Sequence, residues 1–214
     1  MNYLIVSILS YIIGSIPFGL LVTKFFKLGD IRKIGSGNIG ATNVLRTGNK
    51  LAAAITLFFD IFKGSLALIL TKYFFSDLMF LSFIFVYLGH IFPIWLKFKG
   101  GKGVATFIGG LLIINLKICI LFLFTWLIIA KLFKISSLSA LISFLIIFIY
   151  SAIFEGRDFI ILMSFFLIIN FFTHRQNILR LVKGEETKIK SWSFSWFFVY
   201  FCKSNLTKFL FFAS

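Results

Sequence analysis

Val104-Ala-Thr-Phe-Ile-Gly-Gly-Leu-Leu-Ile-Ile-Asn-Leu-Lys-Ile-Cys-Ile-Leu-Phe-Leu-Phe-Thr-Trp-Leu-Ile-Ile-Ala-Lys131 is longer than one membrane helix needs and short for two, because a crossing takes about 20 residues. Its reading fixes the topology of everything after it, and charge decides it. Two crossings, near 104–116 and 118–131, leave Lys72, Lys117 and Arg157 as the basic residues of the outer loops. Lys24, Lys27, Arg32, Lys33, Arg46, Lys50, Lys97, Lys99, Lys102, Lys131, Lys134, Arg175, Arg180, Lys183, Lys188 and Lys190 then lie on the cytoplasmic side. One crossing would send Lys131, Lys134 and the basic C-terminal segment outside. The two-helix reading therefore stands, with a short or tilted fourth crossing.

The rest of the chain agrees. It is 60% hydrophobic, and 32 of its 214 residues are Phe. A soluble domain has more polar side chains with which to cover its surface, and a β-barrel would alternate polar and apolar residues, whereas these runs are apolar on both parities. Further spans fall near 3–23, 51–71, 79–96, 138–154 and 158–173. The expected architecture is all-α and polytopic, with seven transmembrane helices, the N-terminus outside and the C-terminus cytoplasmic. No basic residue precedes the first apolar run, so it reads as a retained span rather than a cleaved signal. Residues 1–190 form one membrane domain. Residues 191–214 form an aromatic-rich extension, too interrupted to span and suited to the interface. Cys119 and Cys202 fall at different depths with no C-x-x-C, so neither a disulfide nor a metal site is expected.

Polar chemistry is concentrated in four cytoplasmic islands. Lys97-Phe-Lys-Gly-Gly-Lys-Gly103 puts Lys102 among Gly100, Gly101 and Gly103, just before a helix start at Val104. It reads either as a positive-inside signal or as a phosphate cradle of backbone N–H groups and a helix N-terminus. Topology needs the lysines but has no use for the glycines. A Walker loop is excluded, because Leu96 stands where its first Gly belongs and Gly103 follows the Lys. Upstream, His90 lies in an apolar helix as a hydrogen-bonder or a catalyst, and Pro93 is expected to kink that helix. The island 35–48 carries Ser36, Asn38, Thr42, Asn43 and Arg46, hydrogen-bonding residues suited to a partly buried backbone. Ser136, Ser137 and Ser139 follow Lys134 and read first as helix caps. After the last span, His174, Asn177 and Arg180 share one helical face, with Glu186 beyond. Within the second span Asp60 and Lys63 stand at i, i+3 and must pair or face a polar cavity, as a structural or a functional pair.

Several motifs, in order, resemble the bacterial membrane glycerol-3-phosphate acyltransferases that use acyl phosphate. They are Gly14-Ser-Ile-Pro-Phe-Gly19, Ser36-Gly-Asn-Ile-Gly-Ala-Thr-Asn43, Asp60-Ile-Phe-Lys-Gly64, Gly89-His-Ile-Phe-Pro93, Gly100-Gly-Lys-Gly-Val-Ala-Thr106 and His174-Arg-Gln-Asn177. The resemblance implies a seven-helix enzyme of the bacterial inner membrane with its site facing the cytoplasm. It implies Lys102, Ser137, His174, Asn177 and Arg46 as catalytic residues, and Ser36, Asn38, Gly100, Gly101 and Gly103 as phosphate-binding ones. Asp60, Lys63, His90 and Glu186 would be structural support. It implies no cofactor and no nucleic acid; the partners would be acyl phosphate, glycerol 3-phosphate, membrane lipid and the enzyme that supplies acyl phosphate. The His-x-x-x-x-Asp dyad of other glycerophosphate acyltransferases is missing, since Trp95 and Leu179 stand five residues after the two histidines. Electrostatic stabilisation of an activated donor, with a phosphate oxygen taking the proton, is then the expected mechanism. A transporter would show internal repeats and place its charges at the midplane, whereas here the polar residues gather at one face and no repeat is visible; an acyl-CoA enzyme would need room for a nucleotide, which no island suggests.

Overall fold

A computed structural model describes residues 1–189, and among these every regular element is helical. In chain order they are α1 Asn2–Ser15, α2 Phe18–Phe25, α3 Ala41–Leu45, α4 Lys50–Phe74, α5 Met79–Ile91, α6 Val104–Ile114, α7 Leu116–Phe133, α8 Ser136–Phe154, α9 Arg157–Thr173 and α10 Arg175–Val182. The expected interfacial extension at 191–214, with Cys202, lies outside the described residues; Cys119 is free and buried.

The stretch 104–131 folds as two helices that meet at Asn115. Its backbone turns extended there, and its Oδ1 accepts from the Ile118 N–H at 3.1 Å, capping α7. Phe107 of α6 packs edge-on to Phe122 of α7 at 5.4 Å. One continuous helix would hold these residues about 22 Å apart at 1.5 Å per residue, so the chain reverses direction at Asn115. Helix α6 has 11 residues, about 16 Å of length, against a hydrocarbon core of about 30 Å. Among the described residues five helical segments are long and apolar enough to cross a membrane, and a sixth is α9 with α10, bent by 62°.

Short α6 is enclosed by protein. A Cβ on Gly109 would lie 2.0 Å from the Ile61 carbonyl oxygen of α4, and one on Gly64 would lie 2.3 Å from that of Thr106, so these glycines let the two backbones touch. On its other side Phe107 is the hub of an aromatic core with Phe83, Phe122, Phe144 and Phe166, at centroid distances of 4.4 to 5.4 Å. Lipid supplies no hydrophobic drive between helices, so this close packing is what holds the bundle together. Buried hydroxyls such as Thr56, Thr71, Ser143 and Ser151 satisfy themselves on the carbonyl four residues back.

Two elements depart from expectation through proline. The first span is two helices, α1 and α2, because Pro17 has no N–H and forces Ile16 to an extended backbone. Pro93 terminates α5 rather than kinking it: the helix ends at Ile91 and a single turn, Ile94–Leu96, follows.

Candidate active site

The Gly-Lys loop folds back onto the end of α5. The Gly100 N–H donates to the Ile91 carbonyl at 2.9 Å and the Gly101 N–H to that of His90 at 3.0 Å. These two amides are therefore spent, which corrects the expectation of a cradle made from all the loop's N–H groups. Gly100 and Gly101 serve close packing instead. Gly103 has φ +84° and sits against the Tyr87 ring, where a Cβ would come within 2.2 Å. The available donors begin at Lys102 and Gly103 and continue through the first turn of α6, whose N–H groups have no intrahelical partner.

The Lys102 ammonium donates to Asn177 Oδ1. Asn177 Nδ2 donates in turn to Glu186 Oε1 at 2.7 Å, and Ser137 Oγ donates to the same oxygen at 3.0 Å. Arg180 Nε holds Glu186 Oε2 at 2.7 Å. The segment after α10 is brought there by the Ile189 N–H, which donates to the Lys134 carbonyl at 2.7 Å. Ser136 and Ser137 make no side-chain cap at the start of α8, and Ser139 bonds the Ile135 carbonyl, so the expected capping role is absent. Ser137 belongs to the site.

Arg46 reaches the same place from α3. Its Nη2 donates to Thr187 Oγ1 and its Nη1 to Asn43 Oδ1 at 3.2 Å. Asn43 is 2% exposed and fastens the whole island: its Oδ1 also accepts from the Ser36 N–H at 3.2 Å, and its Nδ2 donates to the Ile31 carbonyl at 2.8 Å. Asn38 turns inward on its own loop, accepting from the Gly40 N–H at 2.9 Å. His174 stands at the bend between α9 and α10, where its Nδ1 lies 2.9 Å from the Asn170 carbonyl. A carbonyl only accepts, so Nδ1 carries the proton and Nε2 is left as an acceptor.

Three cations thus share one carboxylate: Arg180 contacts Glu186 directly, and Lys102 and Arg46 feel its charge from the positions held by Asn177 and Thr187. Burial works against the charge on Glu186, but hydrogen bonds from Arg180, Asn177 and Ser137 outweigh it and hold its pKa below the ordinary value. Burial pulls Lys102 down to about 8; Glu186 opposes this, while Arg180 and Arg46 add to it. Burial also lowers Arg46. The cluster is short of negative charge, and a multiply charged anion would relieve it.

Asp60, Lys63 and His90 form a separate buried group. Lys63 Nζ lies 2.8 Å from Asp60 Oδ1, and His90 Nδ1 lies 3.6 Å from the same oxygen. Sequence reasoning named Asn43 only as a hydrogen-bonder of its island, not as a partner of Arg46, and missed Thr187. Asn43 stands three residues before Arg46, a helical spacing that pointed to contact; Thr187 lies outside any helix and carried no signal. No cluster of His, Cys, Asp and Glu suited to a metal occurs among the described residues.

Comparison with known proteins identifies the family. Residues 4–184 match the protein family described as glycerol-3-phosphate acyltransferase. A glycerol-3-phosphate acyltransferase of Pelagibacter ubique is 49% identical over 190 residues, covering 89% of this chain and 99% of its own length. One from Ehrlichia canis is 47% identical over 193 residues, covering 87% and 98%. Two crystal structures of PlsY, an integral membrane glycerol 3-phosphate acyltransferase, superpose along most of the chain. The glycerol 3-phosphate form gives a TM-score of 0.82 at 31% identity, covering 89% of this chain and 96% of that one. The lysophosphatidic acid form gives 0.78 at 29%, covering 88% and 95%. The chain is an acyltransferase enzyme and belongs to the glycerol-3-phosphate acyltransferase family.

Proposed function

We propose that this enzyme transfers an acyl group from acyl phosphate to the 1-hydroxyl of sn-glycerol 3-phosphate, releasing 1-acylglycerol 3-phosphate (lysophosphatidic acid) and inorganic phosphate. It works at the cytoplasmic face of the bacterial inner membrane, crossing seven times with the N-terminus outside and the C-terminus inside, and takes its donor from the enzyme that makes acyl phosphate. The observation that carries the reading is the gathering of three cations about Glu186, beside the open N-terminus of α6: Arg180 bonds it directly, Lys102 reaches it through Asn177, and Arg46 is held at the neighbouring Thr187. Both substrates carry a phosphate, and such a cluster accommodates anionic charge. Charge distribution supports the topology.

Lys102, Gly103 and the first turn of α6 bind one phosphate, with Gly100 and Gly101 shaping that turn. Arg46, with Ser36 and Asn38 on its loop, binds the other. Asn177, Ser137 and His174 position the glycerol, leaving its 1-hydroxyl hydrogen directed at the donor phosphate. The hydroxyl oxygen attacks the acyl carbonyl carbon. The bond from that carbon to the phosphate oxygen breaks, the electron pair leaves with phosphate, and a phosphate oxygen takes the hydroxyl proton. No base on the protein is needed, because the leaving group supplies it and the cations stabilise its developing charge. The acyl tail lies between the Phe- and Ile-rich helices, open to lipid.

Purified protein given labelled glycerol 3-phosphate tests the donor. Label enters the lipid phase with acyl phosphate and not with acyl-CoA; the reverse result refutes the proposal.

A further inference from the structure

His90 stands between the Asp60–Lys63 pair and the Gly-Lys loop. Lys63 Nζ contacts Asp60 Oδ1 and also donates, at 2.8 Å, to the Ile16 carbonyl at the Pro17 break, which the Phe18 N–H shares at 3.1 Å. All three residues are 4% exposed or less. On its Asp60 side the imidazole is 3.6 Å from the carboxylate. On its loop side, a Cβ at Gly101 would meet His90 Nε2 at 2.0 Å and two ring carbons at 2.8 Å. The residue before Lys102 therefore abuts the Nε2 edge of the imidazole, and Asp60 stands behind the ring on its other side.

We propose that His90, backed by Asp60 and Lys63, is a positioning residue for the reaction: its ring is the shelf that sets where the Gly-Lys loop, and with it Lys102, sits. The inference rests on the cation cluster being the phosphate site. It places no charge of its own on the substrate, since the ring faces the loop backbone; Lys102 makes the contact. It also ties the Pro17 break in the first span to the site through Lys63.

A substitution cycle on the full-length protein in detergent tests this, reading glycerol 3-phosphate binding by calorimetry alongside KM and kcat. Gly101→Ala collides with the ring and is expected to weaken binding and raise KM roughly tenfold or more while changing kcat far less. His90→Ala makes room, and the double variant H90A/G101A is expected to return to within roughly threefold of H90A alone. Gly100→Ala is the control, because its Cβ would strike the His90 backbone carbonyl at 2.2 Å, which no change of side chain removes. It is not rescued by His90→Ala. If His90→Ala is not monodisperse, His90→Asn, shorter than the ring but still polar towards Asp60, takes its place in the cycle. Gly101→Ala binding as wild type, or failure of the His90 variant to rescue it, or equal rescue of Gly100→Ala, overturns the proposal. Wild-type protein that binds glycerol 3-phosphate without accepting acyl from acyl phosphate overturns the donor assignment alone, and the binding cycle still decides the role of His90.

Discussion

Replacing Lys102 with methionine keeps the apolar stem and removes only the ammonium. The structure predicts two effects of opposite sign. In the empty site the charge is costly: burial and the neighbouring arginines draw it from 10.5 down to about 8, worth on the order of 3 kcal/mol at about 1.4 kcal/mol per tenfold. Against this, Asn177 Oδ1 loses its donor, a loss of about 1 kcal/mol. The variant should therefore be more stable than wild type at pH 7 by about 1–2 kcal/mol, seen as a higher melting temperature in detergent. Catalysis moves the other way. One charge-assisted hydrogen bond to phosphate contributes about 1.5–3 kcal/mol, so kcat/KM for glycerol 3-phosphate should fall roughly 10- to 150-fold. A variant that melts lower than wild type, or that keeps full kcat/KM, refutes the reasoning.

The same lysine gives a pH profile. Anion capture needs the ammonium, so kcat/KM for glycerol 3-phosphate should decline as pH rises through about 8, while kcat at saturation stays flatter because bound phosphate raises the pKa. The stability contribution runs in the opposite direction: the unfolded chain holds the extra proton between about 8 and 10.5, so this group's contribution to stability increases over that window; melting temperatures across it check the sign. Glu186→Ala removes the acceptor of Ser137, Asn177 and Arg180 and leaves three cations facing one another, so stability should drop by about 3 kcal/mol or more, with inorganic phosphate recovering part of the melting temperature. Asp60→Ala leaves Lys63 buried and unpaired and should cost about 3–5 kcal/mol, whereas Asp60→Leu with Lys63→Met should recover most of it; melting curves of the two variants decide. Single cysteines at Arg157 and Lys131 in a cysteine-free background should label from opposite faces of the membrane, and labelling from one face contradicts the seven-crossing topology.

Asn115 shows what the sequence made legible and how. Charge asymmetry required a reversal somewhere in 104–131, and the single amide in that run supplies both the end of α6 and the cap of α7. The Asp60–Lys63 pairing followed from the cost of isolated buried charge alone. Hydrogen-bond assignments inside loops were not legible. Gly-Gly-Lys-Gly suggested open amides, yet the α5 carbonyls freed at its end by Pro93 take two of them. Read locally, Ser137 was a cap, and only the resemblance put it at the site. Its real partner, Glu186, is 49 residues away, and such tertiary partners leave no periodic trace. Lys102 stood out through the loop's glycines and charge and Arg46 through the resemblance; Asn43 was legible only as a hydrogen-bonder of its island, and Thr187, which also holds Arg46, left no trace in the sequence.

The central claim, acyl transfer between two phosphorylated substrates with phosphate as the leaving group, is tested most directly by a donor labelled at two positions. Acyl phosphate carrying one isotope in the acyl chain and another in the phosphate is given to the purified enzyme with and without glycerol 3-phosphate. The account predicts that the acyl label enters lysophosphatidic acid and the phosphate label appears as inorganic phosphate in equal amounts, with neither moving when glycerol 3-phosphate is left out. Phosphate label in the lipid product, or phosphate release without the acceptor at the same rate, would contradict it.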